Sequence, residues 1–429
     1  MKFFNRYILS SGLTVCVAIS AHAQVDTTVS LKAMLTLPQF LNKVGKDNLG
    51  YAAQKYNVNI AEAGIESAKV FPDPQLSFDV FDDQHQKLGL AQGFDVGLGT
   101  TIELGGKRRS RIDLAKSQTA LSQALLLDFF RNLRADAAIA YYNAIQEFYL
   151  LRVQHNSYQR MKQLANADSI RFKLGEITEI DARQSKLDAG NFLNSVFQNE
   201  ADWRTSLLQL NLFAGKKTVD TLLMPNGDFE NLNREFALGI LITDAQNNRA
   251  DVVAALNSKT VADKSLALVR ANRVIDLGVS VGVAGNSEST SIIAPTPAYT
   301  ATTVGISVPL KFSNHYKGDI KAAQFTLDQA GVQYEQVLQQ IQTDVTQAYF
   351  NYKAAQKQVQ QYKSGLLTEA EKVLNGKIYS YKRGDSSLLE VLDAQHTYND
   401  IQQGYYQSLN NLASTLITLE RSAGIWDLK

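Results

Sequence analysis

Four stretches of the chain alternate apolar residues with small or polar residues. They cover 76–80, 94–104, 275–284 and 304–311. Successive side chains of a strand point to opposite faces, so each stretch is predicted to form a strand with one apolar face and one small or polar face. The longer stretches have about ten residues, which is the length of a tilted strand that crosses a bilayer.

These strands fit two environments, a soluble sheet and a membrane. Period-two alternation is common in soluble sandwiches. In a membrane, lipid tolerates no open strand edge, and four strands cannot close on themselves. A membrane sheet would therefore be shared between several copies of the chain. The connections 82–93 and 286–300 are polar and rich in turn residues, and they are predicted to be surface loops.

Long helices are predicted for most of the remaining sequence. Residues 107–173 contain neither proline nor glycine and are rich in good helix formers. A helix of this length extends roughly 100 Å. The stretch 320–382 is similar, with glycine only at 331, 365 and 376. Each is followed by a turn and a returning helix. Shorter helices are predicted at 38–70 and 237–273. The many Gln, Asn, Asp and Ser residues fit the wall of a hollow tunnel, and a filled bundle is the alternative.

The chain also repeats itself at a long period. Ala140-Tyr141-Tyr142-Asn143 corresponds to Ala348-Tyr349-Phe350-Asn351 at an offset of 208 residues. Further on, 172–176 corresponds to 381–385 at an offset of 209. This pattern predicts a duplication, with a first structural repeat over 24–216 and a second over 217–429. Each repeat would contain a helix, a strand pair and a long helical hairpin.

The first 23 residues are predicted to be a secretory signal peptide. Lys2 and Arg6 provide a positive end, 8–19 is mostly apolar, and Ala21-His22-Ala23 gives the cleavage pattern. Cys16, the sole cysteine, lies inside this segment and outside a typical lipoprotein cleavage context. The mature chain would therefore have no thiol for a disulfide, a metal site or catalysis. After this segment the sequence contains no run of 18 apolar residues, so no helical membrane span is predicted.

Charge and histidine spacing argue against several function classes. Lys and Arg number 43 and Asp and Glu number 42, so no basic surplus indicates nucleic acid. The histidines stand at 22, 85, 155, 315 and 396, and no two have the spacing of metal ligands. Phosphate-loop and Ser-His-Asp patterns are absent. We therefore expect no enzyme activity, no cofactor and no resident metal.

Several motifs resemble the TolC-like outer-membrane efflux proteins over nearly the whole mature chain. They are the segment 71–76 before the first strand, Val308-Pro309-Leu310, the two hairpin turns and, most specifically, residues 383–395. The resemblance implies a mainly α fold with a membrane β part. Three chains would form a homotrimer with a 12-stranded β-barrel, four strands per chain, continued by a long periplasmic α-helical barrel. It also implies an outer-membrane channel of a tripartite (RND-type) system, with a periplasmic adaptor and an inner-membrane pump as partners.

A second motif bears on the cargo. The segment 102–108 resembles the branch that serves cobalt–zinc–cadmium exporters, which implies export of heavy-metal cations. Its residues Gly105, Gly106, Lys107 and Arg108 would form a strand-to-helix corner at the membrane border, and the glycine pair would permit the bend. A multidrug or type I protein-secretion duct is the alternative within transport. A periplasmic coiled-coil adaptor or scaffold is the alternative from another class, although adaptors lack the duplicated halves and the four strands.

The hairpin turns carry the candidate functional residues. Glu390 and Asp393 are three residues apart and share a helix face. By resemblance, they would form acidic rings that narrow the periplasmic tip, and Asp181 would add a further ring. Ordinary solvated helix carboxylates are the alternative. The residues predicted to contact the adaptor are Leu174, Gly175, Arg383, Gly384 and Asp385, and their alternative role is to turn the hairpins.

Overall fold

The computed structural model describes residues 31–83, 90–216, 221–289, 291–311 and 315–426. The predicted signal peptide with Cys16, and also His85, lie outside the described residues. The division into repeats at 216/217 stays a prediction.

The elements up to residue 216 form one strand, two helices, a strand pair and a helical hairpin. In chain order they are β1 Leu31–Leu35, α1 Leu37–Asp47, α2 Leu49–Lys69, β2 Gln75–Asp82, β3 Gln92–Ile102, α3 Lys107–Lys173 and α4 Glu179–Phe213.

The elements after residue 216 follow the same order, with one interruption in the long helix. They are β4 Thr221–Pro225, α5 Leu238–Asn248, α6 Ala250–Asn272, β5 Leu277–Asn286, β6 Tyr299–Ser307, α7 Lys317–Gln361, a π-helical turn Tyr362–Leu366, α8 Leu367–Arg383 and α9 Leu388–Ala423.

The long helix predicted at 107–173 is confirmed with the same bounds, but the shorter predicted helices are each broken in two. The breaks fall at Asn48 and Arg249, which both have extended backbone angles. The Asn48 amide donates to the Phe213 carbonyl (2.9 Å), and the Arg249 guanidinium donates to the Ser422 carbonyl (2.8 Å). The breaks therefore dock each helix pair onto the end of a hairpin, a tertiary contact that helix periodicity does not reveal.

The four predicted strands form one antiparallel sheet in the order β2-β3-β5-β6. The prediction for the fourth strand was displaced, because pairing runs from Tyr299 to Ser307 instead of reaching Lys311. Pro309 has no backbone N–H to donate to a neighbouring strand, so the ladder ends before it. The sequence also missed the two-stranded parallel sheet of β1 and β4, whose strands have only five residues each.

The main core lies where the helical hairpins meet the β1–β4 sheet. Ala135, Ala137, Ala138 and Ala144 have no exposed surface there, and such small side chains let neighbouring helices approach closely. The hydroxyl of Tyr141 donates to the Leu35 carbonyl (3.0 Å). Two smaller apolar clusters follow toward the hairpin turns. The hairpins are thus held firmly at one end and by separate small cores toward the other.

Within the described ranges, no helix has the length and apolar character needed to cross a membrane.

Candidate functional site

The two hairpin turns are built alike. Each has a glycine with positive φ, Gly175 (76°) or Gly384 (81°). A side chain at either glycine would meet open space, so the left-handed backbone is what favours glycine. A hydroxyl then caps the returning helix, from Thr178 in α4 and Ser387 in α9. Leu174, next to the first glycine, is exposed. The five residues predicted to contact an adaptor therefore lie on the two turns.

Glu390 is committed to contacts within its own hairpin. Its carboxylate completes a capping box with Ser387 and pairs with Lys377 of α8. The Lys377 hydrogen bond, followed by the backbone N–H of Ser387, holds the pKa of Glu390 below its usual value. The carboxylate therefore remains ionised, and the Lys377 ammonium partly offsets its charge.

The other two predicted constriction carboxylates differ from each other. The Thr178 hydroxyl donates to Asp181 (2.7 Å), so Asp181 takes part in the cap of α4. Asp393 is exposed on α9, and its carboxylate has no hydrogen bond or ion pair in the part of the chain that the structure describes. Of the three predicted carboxylates, Asp393 is therefore the one with no hydrogen-bond or ion-pair partner in the described ranges.

A buried contact near the turns was missed by the sequence interpretation. Asp168 of α3 is fully buried and accepts a hydrogen bond from the Tyr381 hydroxyl of α8 (2.9 Å). The Arg171 guanidinium lies 4.8 Å from the centre of the Tyr381 ring. Burial raises the pKa of Asp168, and it also raises the pKa of Tyr381. This contact ties the tip of one hairpin to the tip of the other, and no local pattern marks Asp168.

The strand-to-helix corner contains two consecutive residues with positive φ, Gly105 (68°) and Gly106 (71°). The next residue, Lys107, is buried and pairs with Asp276, which immediately precedes β5 (2.6 Å). Asp276 also accepts from the backbone N–H of Leu104 (3.2 Å). The corner is thus fastened to the neighbouring strand by a charge-assisted contact.

The arginines of the corner hold the end of α2. Arg108 donates to the Lys69 carbonyl (2.7 Å). Arg111, which the sequence interpretation did not single out, binds both carboxylate oxygens of Glu103 (2.7 and 3.1 Å) and donates to the carbonyls of Ala68 and Val70. These bonds satisfy carbonyls that a helix end leaves open. These contacts favour a structural role for the segment 102–108, namely to hold the bend from strand to helix.

The four-stranded sheet has two chemically distinct faces. Leu76, Leu98, Val281 and Val304 are aligned across the strands in one row. The adjacent row, on the opposite face, contains Ser77, Gly97, Gly282 and Thr303. Leu76 and Val304 are about three-quarters exposed or more (74% and 80%), so the apolar face is uncovered in a single chain. The outer strands β2 and β6 have no further partner strand among the described residues.

No group of three or more metal-ligating side chains occurs among the described residues. The site residues predicted from the sequence lie at two separate places, the hairpin turns and the strand-to-helix corner.

Comparison with known proteins shows which proteins this chain is similar to. Residues 241–425 match the family of outer membrane efflux proteins. The chain is 24% identical to the cobalt-zinc-cadmium resistance protein CzcC of Cupriavidus metallidurans, over 98% of this chain and all of the relative. These matches identify the chain as an outer-membrane efflux channel protein of the CzcC type. This efflux protein therefore lies in the outer membrane and extends into the periplasm, and its relatives are channels, not enzymes.

Other similarities agree with this fold. The efflux protein is 21% identical to the outer membrane efflux protein BepC of Brucella suis, over 91% of this chain and 85% of BepC. Its fold matches a solved structure of CusC with a TM-score of 0.74 at 15% identity, covering 91% and 92% of the two chains. The CmeC channel of Campylobacter jejuni gives the same TM-score at 14% identity, with 90% and 85% covered. The TolC-like resemblance is confirmed, and the scaffold alternative is set aside.

Proposed function

We propose that three copies of this chain form the outer-membrane exit duct of a tripartite, RND-type efflux system that exports heavy-metal cations. Each copy contributes four strands to a shared 12-stranded barrel. The long helices continue it as a tunnel through the periplasm. A periplasmic adaptor docks on the hairpin turns and connects the duct to an inner-membrane pump.

The observation that carries this proposal is the amphipathic sheet with two open edges. Its apolar rows suit lipid, and its opposite rows of Ser, Gly and Thr suit water. Lipid does not tolerate unpaired strand edges, so β2 of one copy must pair with β6 of the next. The tunnel end then brings the exposed Asp393 of each copy around one axis, where the carboxylates attract cations and repel anions.

The cargo class rests on the relative and on the corner motif. CzcC is named for cobalt, zinc and cadmium resistance and aligns over nearly the whole chain. The absence of a metal cluster among the described residues is compatible with a duct, because a pore that passes ions must also release them.

Growth on metal salts tests the cargo. The chain is expressed in a strain that keeps a cation pump and its adaptor but lacks their outer-membrane channel. We expect growth to recover on zinc, cobalt and cadmium salts. Recovery of resistance to organic drugs in a matched multidrug strain, with none on metals, would instead support the multidrug alternative.

A further inference from the structure

At one end of the four-stranded sheet, each strand connects to a helix. α2 ends before β2, α3 begins after β3, α6 ends before β5, and α7 begins after β6. The helices follow one another side by side, because α2 packs on α3, α3 on α6 and α6 on α7. The apolar rows of the sheet stop at this end, so an apolar surface and the helical part of the chain adjoin here.

Each of the four helices carries an exposed cation at this level. None of the four side chains makes a hydrogen bond or an ion pair with the part of the chain that the structure describes. We call them the border cations: Lys69 at the end of α2, Arg109 in the first turn of α3, Arg273 directly after α6, and Lys317 at the start of α7.

Two carboxylates at this end mark the polar side of the sheet. Glu103 directly follows β3, and Asp276 directly precedes β5. The adjacent strand residues, Ile102 and Leu277, are paired with each other and belong to the apolar face. Because successive side chains of a strand point to opposite faces, Glu103 and Asp276 lie on the polar side.

Arg109 points to the other side. Lys107 and Arg111 pair with these two carboxylates (2.6 and 2.7 Å), so both cations face the polar side. At 3.6 residues per turn, Arg109 lies about 160° around α3 from each of them. Arg109 therefore faces the side on which the apolar rows lie.

The second repeat keeps a cation at this position although the corner around it differs. At the offset of 208 residues, Lys317 takes the place of Arg109. The ion pair of the first corner is replaced at the same offset by Lys311 and Asp319, so its charges are exchanged. The outward cation is thus independent of the contacts that hold the corner.

Exposed apolar side chains lie beside the border cations. Val70 and Phe71 directly follow Lys69, and Val274 directly follows Arg273; all three are exposed. A phospholipid presents the same order of groups, with a negative phosphate at the membrane surface and acyl chains behind it. A free phosphate ion would match the cations alone, whereas a phospholipid matches both the cations and the apolar surface.

We propose that the border cations bind the phosphate groups of anionic phospholipids in the leaflet that faces the periplasm. The acyl chains of these lipids lie along the apolar rows of the sheet. Arginine suits this role because its planar guanidinium can donate two parallel hydrogen bonds to one phosphate. The proposal rests on the proposed function, because that function puts the sheet in the bilayer.

The lipid preference of the full mature chain tests this binding. The chain is reconstituted in phosphatidylcholine vesicles that contain a trace of spin-labelled phosphatidylglycerol or spin-labelled phosphatidylcholine. Electron paramagnetic resonance measures the fraction of each labelled lipid whose motion the protein restricts. We expect phosphatidylglycerol to associate about three-fold more strongly than phosphatidylcholine.

Charge removal shows which cations produce this preference. Glutamine in place of all four border cations should abolish it. The control variant removes the same charge at four exposed lysines that lie away from the border: Lys173→Gln, Lys186→Gln, Lys259→Gln and Lys357→Gln. This control should keep the preference, and an equal loss in both variants would overturn the proposal.

Two double variants cover the case in which the fourfold variant does not assemble. Lys69→Gln with Arg109→Gln alters the first repeat, and Arg273→Gln with Lys317→Gln alters the second. Each should lower the preference for phosphatidylglycerol, and an unchanged preference in both would contradict binding at the border cations.

A further arm separates lipid from free phosphate. Glycerophosphoglycerol, the headgroup without acyl chains, is added at the concentration of the labelled lipid and should displace none of it. Displacement would overturn the assignment to a lipid. Equal restriction of both labelled lipids would overturn the proposed binding alone. Absence of any restricted lipid would contradict the proposed function as well, because the sheet would then lie outside the bilayer.

Discussion

At the scale of single residues, the tip carboxylates differ because their neighbours differ. Glu390 is paired with Lys377, Asp181 is held by the Thr178 hydroxyl, and Asp393 is exposed, with no hydrogen-bond or ion-pair partner among the described residues. Near the tip, Asp168, which no sequence pattern marks, lies fully buried. The position of a carboxylate along its helix therefore does not predict which partners it has or how deeply it is buried.

Asp168 predicts a pH dependence of the tip contact. Burial raises its pKa above the ordinary 3.8, so its contribution to stability is complete below about that pH and is lost as pH rises through the raised value. We expect hydrogen exchange at 165–185 and 375–392, corrected for intrinsic rates, to show less protection at pH 7 than at pH 4. Asp168→Asn should remove this dependence.

The same substitution at Asp188, which is also buried but lies on α4, is the control. It should leave the pH dependence in place. An equally steep dependence in the Asp168→Asn variant would show that another group is responsible.

At the scale of elements, the strand-to-helix corner joins β3, α3 and the end of α2. Two glycines with positive φ allow the chain to bend, and side-chain hydrogen bonds then stabilise the bend. Arg111 does this through Glu103 and two backbone carbonyls, whereas Arg109 is exposed with no side-chain hydrogen bond in the described ranges. The first turns of α3 thus contain Arg111, which holds the corner, and Arg109, which makes no side-chain hydrogen bond with the described residues.

Arg111→Ala is expected to lower the free energy of unfolding by about 1–2 kcal/mol, since hydrogen bonds between charged groups are lost at a partly exposed site. Arg111→Lys should recover little of this, because an ammonium cannot bind both carboxylate oxygens in the planar geometry. Arg109→Ala is the matched control and should change stability by less than about 0.5 kcal/mol. Denaturant titration in detergent measures all three, and equal effects at 109 and 111 would contradict the clamp.

At the scale of the whole molecule, a single chain leaves exposed what an assembly would cover. The apolar rows of the sheet and the two outer strands are open, and several exposed large residues, such as Phe350 and Val332, lie along α7. These features are those expected of one third of a closed duct. The acidic ring that we propose would likewise be a property of the assembly, because each chain provides one Asp393.

Asp393→Asn is expected to lower the cation-to-anion permeability ratio of the reconstituted channel several-fold, because three charges are removed at one level of the pore. Glu390→Gln should have a smaller effect, since Lys377 already offsets that charge. Glu371→Gln, on an exposed position of α8, is the control. Reversal potentials in planar bilayers measure the ratio. An unchanged ratio in Asp393→Asn would rule out this ring as the selective constriction.

The sequence by itself determined the elements whose pattern is local and long. Period-two alternation marked four strands, and the absence of proline and glycine marked α3 to the residue. Motifs and the repeat also pointed to the efflux family. These features depend on side-chain spacing along the chain, which a sequence displays directly.

Only the tertiary structure decided the features that join distant residues. The breaks at Asn48 and Arg249, the β1–β4 pairing and the Asp168–Tyr381 hydrogen bond each connect positions more than 150 residues apart. The fourth strand ended early because of a backbone donor missing at Pro309. The offset of one residue in the repeat was visible in the sequence, whereas the π-helical turn at 362–366, which lies in the same interval, was visible only in the structure. A linear pattern specifies which face of an element is apolar, and packing alone specifies what that face meets.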